Sequence, residues 1–103
     1  MIKQYLFVIT CAVGLALPAY TAQAAVDSHA RNLAASCAAC HGTNGHSAGG
    51  TPVLAGMDKT LFVGSMKDFK SGARPATVMH QHAKGYTDEE FDLLAEFFAA
   101  QKR

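Results

Sequence analysis

The sequence predicts an all-α fold, and three observations predict it. No stretch alternates apolar and polar residues at the period of two that a half-buried strand needs. Apolar residues recur instead at helical spacing, in segments that open on capping residues and close on glycine. The first and second of these segments are separated by a glycine-rich run, 42–56, whose composition suits neither helix nor strand.

Ahead of the helices, Met1 to Ala24 has the layout of a secretory signal. Lys3 supplies its charge, Tyr5 to Leu17 its apolar run, and Pro18 the break. Ala22-Gln23-Ala24 places small residues for cleavage before Ala25. The apolar run is shorter than the ~20 residues of a spanning helix, so a cleaved leader is expected rather than an anchor. Cys11 leaves with it. The chain thus divides into 1–24, a signal peptide, and 25–103, one small domain. The expected location is the periplasm, with no membrane attachment after cleavage.

The first helix is expected from Ser28 to Ala39, capped by Asp27 or Ser28, with Leu33, Ala34 and Cys37 on one face. At its end stands Cys37-Ala38-Ala39-Cys40-His41. Two thiols one turn apart can add to the two vinyl groups of one porphyrin. The histidine that follows supplies an imidazole to the iron, so C-x-x-C-H reads as covalent attachment of a c-type haem. A bare C-x-x-C could also be a thiol–disulfide pair or half of a zinc site. His41 argues against the first. The second lacks partners, because no further cysteine follows and His29, His46, His80 and His82 form no pair at finger spacing.

Gly42 is the expected stop of this helix. The run from Gly42 to Gly56 holds no phosphate-cradling glycine motif. It reads as backbone passing close to the porphyrin, where side chains would clash. A second helix is expected from Lys59 to Lys70, with Asp58 as N-cap, Leu61, Phe62, Met66 and Phe69 apolar, and Gly72 ending it. Pro75 suits the first turn of a short third helix, Ala76 to His82. The last helix is the best specified. Thr87-Asp88-Glu89-Glu90 is a capping box, Tyr86 and Phe91 form a hydrophobic staple, and Phe91, Leu94, Ala95 and Phe98 share a face.

Without its leader the chain has eight basic and eight acidic side chains. That balance argues against nucleic acid, and against a partner selected by long-range charge.

Taken together, the first helix, C-A-A-C-H, the glycine-rich loop, Leu54-Ala55-Gly56, the middle helix, a methionine segment and the amphipathic last helix resemble a class I cytochrome c. The resemblance covers the whole mature chain. It implies four to five helices wrapped around one covalently attached haem, with Cys37 and Cys40 as attachment points and His41 as an iron ligand. A narrower similarity is to the haem subunit of flavocytochrome c sulfide dehydrogenase, through Phe69-Lys70-Ser71-Gly72, Thr77-Val78-Met79 and Ala83-Lys84-Gly85-Tyr86. That similarity implies a flavoprotein partner.

The ligand opposite His41 decides the iron chemistry, since a thioether raises the potential and a second imidazole lowers it. Met57, Met66 and Met79 are the candidates. Met57 follows the proximal loop closely, and Met66 lies on an apolar stripe where methionine is commonly core filler. The class I resemblance favours Met79, which follows the Pro75 break. His80 and His82 are the rival donors, whereas His29 and His46 are expected to be exposed. The Pro52 carbonyl is a candidate acceptor for the other ring N–H of His41. Arg74 and Tyr86 are candidates to hold haem propionates. Lys59, Lys67, Lys70 and Lys84 are candidates to guide docking at an exposed haem edge. With both axial positions filled, the expected function is one-electron transfer between redox proteins rather than catalysis. The alternative is a haem protein that binds or senses a ligand at an open or labile distal site.

Overall fold

The structure, a computed structural model, describes residues 28–103. The expected leader and the Asp27 cap lie outside the described residues. Residues 28–35 form α1. The single helix expected to reach Ala39 is interrupted at Ser36-Cys37. There the Ser36 hydroxyl donates to the Leu33 carbonyl at 3.1 Å, and the Cys37 N–H donates to the Ala34 carbonyl at 3.1 Å. A hydroxyl competing for a carbonyl three residues back, together with a tightened backbone step, breaks the α-helical ladder. The chain resumes helix at once as α2, Ala38–His41.

Gly42 closes α2 at φ 80°. A Cβ at this position would collide with the His46 carbonyl, so both the dihedral and the space demand glycine. A 3₁₀ turn, Thr43–Gly45, follows. At Gly45, φ 79°, a Cβ would lie 2.8 Å from the Ala55 nitrogen and 2.9 Å from the Phe98 ring. The Gly45 carbonyl accepts the N–H groups of Leu54 (2.9 Å) and Ala55 (3.2 Å), which closes the glycine-rich loop on itself.

Helix α3, Lys59–Ser71, begins where the Asp58 carboxylate accepts the Leu61 N–H at 3.0 Å. It ends at Gly72 in the left-handed region. Helix α4, Met79–Lys84, starts three residues later than the Ala76 expected from Pro75. The Arg74 N–H donates to the Asp68 carbonyl at 3.2 Å, drawing the intervening segment back along α3. Thr77 and Val78, both β-branched, enter helix poorly. Helix α5, Asp88–Ala99, carries the complete capping box: the Glu90 N–H donates to Thr87 Oγ1 at 3.1 Å, and the Thr87 N–H to Glu90 Oε2 at 2.8 Å. The staple rings of Tyr86 and Phe91 lie 6.5 Å apart.

Among the described residues there is no strand, and the domain is helix packed on helix. Phe91, Leu94 and Phe98 of α5 are fully buried. They pack with Phe62 and Met66 of α3, Ala83 of α4, Ala34 of α1 and Leu54 of the loop. The Phe62 and Phe98 rings are 5.7 Å apart. The Gly56 N–H donates to the Phe98 carbonyl at 2.8 Å, tying the end of the loop to the end of α5. This core leaves α2, the loop, one face of α3 and the entry to α4 to surround a cleft.

Candidate haem site

The cleft has a volume of about 530 Å³, within the range of small-molecule and cofactor sites. Two chain segments and one helix face enclose it. Cys37, Cys40 and His41 border it from the first segment, Met79 and His82 from the second, and Phe62, Met66 and Phe69 from α3. The sequence motif and the late methionine, distant along the chain, therefore meet at one site.

His41 is 8% exposed. Its Nδ1 lies 2.7 Å from the Pro52 carbonyl, which has no proton to give, so Nδ1–H donates and Nε2 keeps a free lone pair. That is the tautomer a histidine ligand requires, fixed by a partner outside the ligand set. The same loop also grips the motif through Thr51, whose hydroxyl donates to the Cys40 carbonyl at 2.6 Å. Nothing in the sequence marked Thr51 for this role. Cys40 is exposed and Cys37 half-buried. Burial pushes the Cys37 thiol up, and a hydrogen bond from Ser36 offsets this in part. Among the described residues no three His, Cys, Asp or Glu side chains gather as a metal-binding group.

All three methionines among the described residues border the cleft, in different settings. Met66 is 5% exposed and forms part of the hydrophobic core with Phe62. Met57 follows the loop that holds His41, its N–H donating to the Leu54 carbonyl at 3.0 Å. Met79 opens α4 on the other segment. The two rival histidines separate. His82 borders the cleft, whereas His80 lines an adjoining groove with Phe69, Gly72 and Pro75. His29 and His46 are exposed, as expected. His46 bonds the Thr43 and Lys102 carbonyls through its two ring nitrogens and so ties the C-terminal tail to the loop.

Arg74 and Tyr86 both stand on the cleft wall. The Arg74 guanidinium lies 4.8 Å from the Phe69 ring centroid and donates to Ser65 at 3.1 Å. The Tyr86 and Ser36 hydroxyls are hydrogen-bonded, which joins the end of α1 to the approach of α5. None of the four lysines lines the cleft. Lys59 approaches Glu96, and Lys67 and Lys70 approach Asp88, at 4.0, 3.7 and 3.6 Å across the α3–α5 face. Lys84 borders the adjoining groove. Carboxylates on α5 capture the α3 lysines because both helices turn polar edges toward each other there.

An apolar cavity with two thiols, an oriented imidazole and a thioether on its walls fits a covalently attached haem. Residues 28–102 match the family model described as cytochrome c. This chain belongs to the cytochrome c family. It binds haem c covalently. The cytochrome is 46% identical over 72 residues to the cytochrome subunit of sulfide dehydrogenase from Chlorobaculum tepidum, covering 70% of this chain and 66% of that one. It is 41% identical over 68 residues to the thiosulfate dehydrogenase electron acceptor of Stutzerimonas stutzeri, covering 64% of this chain and 32% of that protein. Cytochrome c-553 of Helicobacter pylori is 32% identical over 83 residues, which cover 79% of this chain and 86% of that protein. The cytochrome thus spans just under two thirds of the Chlorobaculum subunit and about a third of the Stutzerimonas protein.

Proposed function

We propose that this cytochrome carries single electrons with its haem joined to Cys37 and Cys40 and its iron held between His41 and Met79. One observation carries the reading: these four residues border a single apolar cleft, His41 from one bounding segment and Met79 from the other. Bound haem supplies an iron that cycles between Fe(III) and Fe(II). Pro52 holds His41 in the ligating tautomer. The Met79 thioether favours the ferrous state and raises the potential. Leu54, Phe62, Met66 and Phe69 keep water from the site. Arg74 and Tyr86 offer the donors for propionates. Met57 shares the segment that carries His41, and Met66 is held in the core, which favours Met79 among the methionines.

The absorption spectrum tests this assignment. Wild type should show the weak far-red sulfur-to-iron band when ferric, and its ferrous form should ignore carbon monoxide. Met79→Ala should lose the band and Met66→Leu should keep it. A band that survives in Met79→Ala would overturn the ligand assignment. Fast carbon monoxide binding by wild type would instead favour a sensor.

We further propose that the protein works in the periplasm as the haem subunit of a flavoprotein sulfide dehydrogenase, after loss of residues 1–24. The support is the name of the Chlorobaculum relative together with the surface around the cleft. Val53 and Val78, on the two bounding segments, are 42% and 52% exposed. Arg74 is the only Lys, Arg, Asp or Glu side chain bordering the cleft among the described residues. A partner that docks here meets apolar surface. Sulfide should reduce the haem only when the flavoprotein subunit is added, and sulfide oxidation by the isolated chain would refute the assignment. The mass of the exported protein should correspond to a chain beginning at Ala25.

A further inference from the structure

We propose that His82 is a second axial donor, held one helical turn from Met79 on the same wall of the cleft, and that it ligates the haem iron when the Met79 thioether is lost. The proposal rests on the His41/Met79 ligation above. Its first support is register. Positions three apart on a helix share a face, and within α4 the cleft is bordered by Met79 and His82 but not by His80 or Gln81. Its second is the state of the side chain. His82 is exposed, and the imidazole hydrogen bonds found among the described residues belong to His41 and His46. Neither ring nitrogen of His82 has to break a bond to a protein partner before it reaches the iron.

The setting of α4 supports the same conclusion. The helix has six residues, its N-cap Val78 makes no side-chain cap bond, and residues 71–78 before it are all exposed. A helix this short gains little from its own hydrogen bonds and can be re-seated at modest cost. Ala83, fully buried, is its anchor in the core and limits the movement to a small rotation or slide. The exchange breaks one iron–sulfur bond and forms one iron–nitrogen bond, with no change in electron count. It converts a thioether-ligated carrier into a bis-imidazole carrier of lower potential. His80 is excluded from this role because it borders the adjoining groove and not the cleft, and its Nδ1 is buried without a partner.

The test compares wild type, Met79→Ala, Met79→Ala/His82→Asn and His82→Asn as holo-proteins, by ferric spectrum, midpoint potential and carbon monoxide binding to the ferrous form. Met79→Leu, with its similar side-chain volume, replaces Met79→Ala if the cavity prevents folding. The single Met79 variant should lose the sulfur-to-iron band, stay low-spin and fall in potential. The double variant should become high-spin and bind carbon monoxide freely. If His82 occupies the iron about nine-tenths of the time, apparent carbon monoxide affinity should differ about tenfold between the two. His82→Asn alone should keep the wild-type spectrum. Equal spectra and equal carbon monoxide binding in the single and double Met79 variants would overturn the proposal and leave Met79 ligation intact. A wild type without the band, opened to carbon monoxide by His82→Asn alone, would overturn both, since His82 would then be the resident ligand.

Discussion

At the scale of single residues, placement decides more than residue type. Three methionines border one cleft, yet Met66 is also part of the core and Met57 follows the proximal loop. Glycines divide in the same way. Gly45 sits at φ 79° with backbone and the Phe98 ring too close for a Cβ, whereas Gly64 lies within α3 with open space around it. Gly45→Ala should therefore destabilise the holo-protein by upward of about 1 kcal/mol. Gly64→Ala should stabilise it by about 0.5–1 kcal/mol through helix propensity alone. Denaturant unfolding of the two variants should move the midpoint in opposite directions. Phe98→Ala removes a fully buried ring and should cost about 3–5 kcal/mol.

At the scale of elements, legibility tracks how local the determining interaction is. The capping box of α5 was readable because Thr87 and Glu90 satisfy each other's neighbourhood within one turn. Thr87→Ala should cost about 1 kcal/mol, lowering Tm by about 4–8 °C in a domain of this size. The haem motif was readable because its chemistry fixes its spacing. The break at Ser36-Cys37 was not, since a serine hydroxyl can face solvent or its own helix with no difference in sequence pattern. The late start of α4 depends on Arg74 bonding Asp68, a contact made only once α3 exists. A row of cations looks alike in sequence whether it faces a partner or, as Lys59, Lys67 and Lys70 do here, the carboxylates of a neighbouring helix. The Thr51–Cys40 bond and the separation of His80 from His82 likewise exist only in the folded chain.

At the scale of the whole molecule, the site and the fold depend on each other. About 79 residues remain after the expected cleavage, near the lower end of what a hydrophobic core alone stabilises. The cleft walls Phe62, Met66 and Leu54 are also core residues, so a haem bound there completes the core. The Cys37→Ser/Cys40→Ser variant should consequently be largely unfolded by circular dichroism, and a well-folded variant would defeat this account. The near-neutral chain and a cleft lined by one charged side chain, Arg74, among the described residues carry their own expectation. Electron exchange with the partner should vary only weakly with ionic strength, as stopped-flow reduction at low and physiological salt would register.

The central claim is that iron sits between His41 and Met79, and proton NMR of the ferrous holo-protein tests it most directly. The porphyrin ring current shifts the methyl group of an iron-bound methionine far upfield, away from every other methyl in the protein. One such resonance should appear, persist in Met57→Leu and Met66→Leu, and vanish in Met79→Leu. Its absence from wild type, or its loss in either of the other variants, would contradict the account.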